Sequence, residues 1–150
     1  MEREGNALDR LASEFKELYE KYSEALESRD LDRALEIGVE IMEDLLEAAQ
    51  SVVLPAIVNP RVREIAVNIL GHHERALAYV KGAREAVRDA PSEYTVKAKE
   101  RAAETLSAGI NSLFGFILGV LVALTDLELT SMPLEGGYPS RSPNDVPRVL

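Results

Sequence analysis

The chain is 150 residues long, 46% hydrophobic and 29% charged, with a net charge of −9 and neither cysteine nor tryptophan. Those proportions fit a single globular domain and exclude a disordered or collagen-like chain. Without cysteine there is no disulfide framework, no thiolate metal ligand and no cysteine nucleophile.

A reducing, cytoplasmic setting is the expectation that follows, and a single Gln among many Glu and Arg suits a thermophile. The charge is uneven. Residues 1–50 hold fifteen acids against six bases, which is the whole net charge, whereas residues 61–101 hold nine bases against six acids. No dense basic run with interleaved aromatics occurs, so nucleic acid is not an expected partner. The acidic early helices are instead expected to lie beside a basic third helix and pair with it. No apolar run follows Met1, so no secretory signal is expected.

The first element reads as an amphipathic helix over about residues 6–28. Leu8, Leu11, Phe15, Leu18, Tyr22 and Ala25 recur at alternating steps of three and four, which places them on one face. Lys21 follows Glu17 by one turn, the favoured order for a helical ion pair. Ser28-Arg29-Asp30 is a tight break, with Asp30 as N-cap of the second helix.

That helix carries the stripe Leu31, Leu35, Gly38, Met42, Leu45, Ala49 and Val52, widened by Ile41 and Leu46. Its short connection to the first makes the pair an antiparallel hairpin. The pattern stops at Leu54-Pro55, because proline disfavours a helical residue before it. Asn59-Pro60 then signals a third helix, running to about Asp89 with Val62, Ala66, Ile69, His73, Leu77, Val80 and Val87 inward.

Pro91 ends the third helix and opens the fourth. From Tyr94 to Glu104 the fourth is charged and amphipathic; from Thr105 to Thr125 it has no charge at all. From Ser131 the chain is rich in Pro, Gly and Ser and reads as an irregular tail over 131–150, after a helical domain over 1–130. The fold class expected is all-α, a bundle of four main helices around the long, very apolar fourth.

The uncharged segment has two readings. About twenty apolar residues suffice to span a bilayer, with Lys97, Lys99 and Arg101 before and Asp126 and Glu128 after. The same segment could be the central helix of a soluble bundle, a partner for three amphipathic faces, and Asn111 favours this reading. Ser107, Asn111, Gly115, Gly119 and Ala123 fall every four residues as a ridge of small side chains. The ridge is expected to abut another helix closely, within the chain or across a symmetric dimer. The fourth helix would also outreach its partners, and an apolar overhang marks an interface.

Candidates for chemistry are few. His72 and His73 are adjacent, so they point about 100° apart and cannot share one ion from a helix face. His73 falls on the apolar stripe and reads as a core histidine held by a hydrogen bond. The acids Glu36, Glu40, Glu43 and Glu47, and Glu17, Glu20, Glu24 and Glu27, lie opposite the leucine stripes and should face solvent. Turned inward they could gather Mg²⁺ in a helical metal-dependent enzyme. Tyr19, Tyr22, Tyr79 and Tyr94 are expected to cap the core.

The function that fits is a non-enzymatic interaction or scaffold module, a homo-oligomer or the receptor of a protein partner, with no cofactor or metal. The interaction residues expected are Asn111, Gly115, Gly119 and Ala123. In the tail they are Leu134 and Tyr138, with Met132, Val146 and Leu150 as further anchors. A single-pass membrane protein with its span near 105–125 is the alternative, together with the metal-dependent enzyme.

Overall fold

The computed structural model describes residues 2–88, 90 and 92–131, with side chains over 9–88, 90 and 93–124. The tail anchors Met132, Leu134, Tyr138, Val146 and Leu150 lie outside the described residues. What is described is all-α: α1 (Glu2–Glu27), α2 (Leu31–Ala48), α3 (Leu54–Ala56), α4 (Pro60–Val87) and α5 (Ser92–Ser131), with a π-helical segment, Ala49–Val53, joining α2 to α3. The four long helices form the expected bundle, and α5 remains helical through Ser131.

The breaks follow from local chemistry. At the end of α1 the Asp30 N–H reaches the Ala25 carbonyl (2.9 Å) and the Arg29 N–H the Leu26 carbonyl (3.2 Å). This is a Schellman closure, and its left-handed residue is Arg29, at φ 62°, where glycine is usual. Asp30 caps α2 through the Arg33 N–H, and the Asn59 side chain caps α4 through the Arg61 and Val62 N–H groups. Pro55 does not stop the helical backbone as expected. The wider π turn before it accommodates a residue that has no N–H and whose ring crowds the carbonyl four residues earlier. The chain straightens only at Ile57, with ψ 111°.

The centre of the bundle is α2, not the apolar last helix. It packs against α1, α4 and α5 alike, and buries Leu35, Ile41, Met42 and Leu45 almost completely. α5 packs on α2 and α4 through Ala103, Leu106, Ile110, Leu113, Ile117 and Val120. These recur at steps of three and four, so they cover one face only. The reason is geometric: α1 and α4 flank the central pair, and among the described residues no helix covers the opposite side of α5.

Two aromatic contacts tie α1 to α5. Tyr22 is buried, and its hydroxyl shares a 2.7 Å hydrogen bond with Ser107 and lies 3.2 Å from the Ala103 carbonyl. Phe15 stacks on Phe114 with centroids 4.4 Å apart. Of the tyrosines expected to cap the core, Tyr19, Tyr79 and Tyr94 are instead exposed, and only Tyr22 is buried.

Candidate functional site

α5 is the one helix among the described residues long and apolar enough to cross a membrane, with a mean hydropathy of 2.0 over its best window. Only 33% of that window is buried inside the bundle. Its exposed positions are Glu104, Ala108, Asn111, Gly115, Leu118 and Val122, flanked by Ser112 and Gly119. The spacing alternates four and three, so they make one straight seam, the mirror of the buried seam on the other side. From Ala108 onward it has no charge. Leu118 is 45% exposed and Val122 59%.

Asn111, Gly115 and Gly119 therefore share an exposed face, while Ala123 is half-buried beside it. The expectation that Gly115 and Gly119 abut a helix of this chain is not met: a Cβ at either would find nothing within 4 Å. The close approaches are at other glycines. A Cβ on Gly38 would stand 2.8 Å from the Leu106 Cδ1 and 2.9 Å from the Tyr22 Cε1, and one on Gly109 3.2 Å from the Met42 Cε. The sequence reading also missed Ala108, Leu118 and Val122. Steps of exactly four advance 400°, so a ridge of five such residues drifts by about 160° around the helix. Ser107 and Ala123 fall off the seam for that reason.

Beside the seam, an apolar groove of about 300 Å³ opens between α4 and α5, lined by Ile57, Val62, Ile65, Ile69, Phe116 and Gly119. Ile65 is itself half exposed. The apolar surface of α5 thus continues onto the start of α4.

The histidines separate in function. His73 is 8% exposed. Its Nδ1–H donates to the Ile69 carbonyl (2.8 Å), which leaves Nε2 to accept from the Ser112 hydroxyl (3.0 Å). Sequence spacing hid this serine–histidine contact, because its members are 39 residues apart and on different helices. A base beside a hydroxyl resembles half of a nucleophilic site, but neither residue lines the groove between α4 and α5 or the charged cleft between α2 and α4, and the N–H groups of mid-α5 are engaged in the helix. The contact pins α4 to α5. His72 is exposed and accepts a hydrogen bond from Arg75.

The acidic stripes face solvent: Glu36, Glu40, Glu43 and Glu47 are exposed, as are Glu17, Glu20, Glu24 and Glu27. Among the described residues no three His, Asp or Glu side chains converge as they would around a metal. The expected pairing with α4 is realised by Lys81–Glu43 at 2.9 Å, with Lys99–Asp32 at 2.8 Å joining α5 to α2. Both pairs line a cleft of about 580 Å³ with Glu36 and Arg84. Its acids Asp32, Glu36, Glu43 and Glu85 balance its bases Lys81, Arg84, Arg88 and Lys99, so it carries no net charge to draw in an anion or a metal. Asp44 is half-buried and pushed above the usual carboxylate range, first by desolvation and then by the charges of Glu40, Glu14, Glu47 and Glu43. Compared with known proteins, the chain matches no family model, no curated sequence and no solved structure.

Proposed function

We propose that this chain is a helical interaction module without enzymatic activity that associates with itself through the exposed, uncharged seam of α5. The observation that supports this is an apolar helix with only 33% of its best window buried, whose Leu118 and Val122 point out of the bundle. Leaving such side chains in water forgoes about 25 cal/mol for each Å² that a partner would cover. A soluble chain rarely maintains so continuous a patch unless something docks there.

The alternative occupant is lipid, since α5 is long enough to span a bilayer. Against it stand the charges of the neighbouring helix. Arg61, Arg63, Glu64 and Arg75 are exposed on α4, which packs along α5. A bilayer around the bundle would have to take them in, at about 2.5–3.5 kcal/mol for each charge at its centre. Spanning would also require α5 to leave α2 and lose its buried seam.

Size-exclusion chromatography with light scattering, without detergent, tests the proposal. The wild type is expected at twice the chain mass or more, and Leu118→Glu at the monomer mass with an unchanged helical circular dichroism spectrum. A wild type that stays monomeric at every concentration overturns it. Flotation with phosphatidylcholine vesicles would favour the lipid reading.

A further inference from the structure

We propose that the segment from Met132 to Tyr138 folds back along α5 and seats Leu134 and Tyr138 in the apolar groove between α4 and α5. The inference goes beyond self-association and does not depend on what meets the seam.

The chemistry of the groove is the first argument. Its lining, from Ile57, Val62, Ile65 and Ile69 on one side to Phe116 and Gly119 on the other, holds neither a charge nor a polar side chain. Any polar group placed there would lose its water without finding a partner, so the occupant must be apolar. Ile65, 54% exposed, has the most surface left to cover.

Where the chain leaves the bundle is the second. α4 and α5 pack as an antiparallel pair, and His73 meets Ser112 at 3.0 Å, so Phe116 is level with Ile69 and position 125 with Pro60. α5 continues to Ser131, which stands about 9 Å past the start of α4. Pro133 bars further helix, and nineteen residues follow Ser131. A chain that doubles back from Ser131 therefore meets the Ile57 and Val62 end of the groove first.

Register is the third. An extended chain advances about 3.3 Å per residue, against about 1.5 Å in the helix beside it. Returning from Ser131, Leu134 comes about 10 Å back, level with the start of α4. Tyr138 comes about 23 Å back, and Phe116 stands about 22 Å from Ser131, so the tyrosine ring reaches the Phe116 and Ile69 end. Side chains alternate along such a chain, which puts Met132, Leu134 and Tyr138 on one side with Gly136 and leaves Glu135 on the other. Beyond Tyr138 the large apolar residues are Val146, Val149 and Leu150, set among Arg141, Asp145 and Arg148. The first part of the tail thus offers the apolar side that the groove requires. Its tether supplies an effective concentration in the millimolar range, so a modest contact suffices without a second chain.

The chain has no cysteine, so engineered disulfides report this placement directly. In the full chain, Gly136→Cys is combined either with Ile65→Cys in the groove or with Val67→Cys. Val67 is 49% exposed and lines a different hollow of α4, with Pro60 and Asn68. Both targets lie within about 20 Å of Ser131 along the helices, so the tether reaches either. The Ile65→Cys pair should close within one chain at least about ten times faster than the Val67→Cys pair, because a disulfide needs its Cα atoms within about 7 Å. That preference should fall severalfold when Leu134→Ser and Tyr138→Ser are added. It should persist in a Leu118→Glu background, which removes association through the seam. Equal rates, or no cross-link in either pair, overturn the inference, as does a preference that the two serine substitutions leave unchanged. Cross-links formed mainly between chains and lost with Leu118→Glu would seat the tail in a second copy, which also overturns it. A wild type that is monomeric by light scattering but keeps the preference removes the proposed function and leaves this inference standing.

Discussion

Gly38→Ala tests which glycine the bundle is built around. The added methyl would meet the Leu106 Cδ1 at 2.8 Å and the Tyr22 ring at 2.9 Å, so both sides are closed. Leu106 and Tyr22 are almost fully buried, and Tyr22 is further held by its hydroxyl bond to Ser107. Overpacking at such a site costs about 1–3 kcal/mol. Alanine recovers about 1 kcal/mol of helix propensity over glycine, so the net loss is about 0–2 kcal/mol. For a chain of this size each kcal/mol moves the melting temperature by about 2–4 °C. Gly82→Ala is the matched control: it lies within α4 with nothing within 4 Å and should gain about 1 kcal/mol. Thermal unfolding by circular dichroism reads both, and Leu106→Val in the Gly38→Ala background should return part of the loss. A Gly38→Ala protein that gains as much stability as Gly82→Ala would show that α2 and α5 do not approach as described.

Three further outcomes are expected. Tyr22→Phe should cost about 1 kcal/mol by removing the hydroxyl bonds to α5. Burial, aided by Tyr19 and opposed by the Ser107 bond, raises the pKa of this phenol, so folding favours its neutral form. The resulting stability is complete below the ordinary tyrosine range and is lost as pH rises through the raised value; the Phe variant should lose less at alkaline pH, and parallel alkaline melts of the two proteins would contradict this. Asp44→Asn should raise the melting temperature at neutral pH, because the raised pKa of Asp44 means that its ionised form is disfavoured in the fold. That gain should vanish as pH falls below the carboxylate range, and a gain independent of pH would exclude this cause. Arg29→Gly should stabilise by about 1 kcal/mol, since it relieves a left-handed residue that keeps only a 3.8 Å exposed ion pair with Glu100; a loss in chemical denaturation would contradict it.

The elements were legible in the sequence because their signals are local. Asp30 and Asn59 announce helix starts by capping N–H groups within three residues of themselves, and the stripes of α1, α2 and α4 repeat every turn. Lys21 and Glu17 pair at 3.5 Å one turn apart, as their order implies. The orientation of the acidic stripes follows from the same periodicity, since a face opposite leucine is a face toward water.

Only the tertiary structure decided which helix sits at the centre, which glycines pack and which side of α5 stays open. Between Thr105 and Thr125 every face is uncharged, so composition gives no phase and cannot distinguish a face that meets α2 from one that meets solvent. Gly109 looks in sequence like Gly115 and Gly119, yet it meets a neighbouring side chain and the others meet nothing. The contact of Ser112 with His73 joins residues 39 positions apart and has no local signal. Helix periodicity fixes what lies on a common face; the number and placement of neighbouring helices fixes which faces are covered, and that is a property of the packed whole.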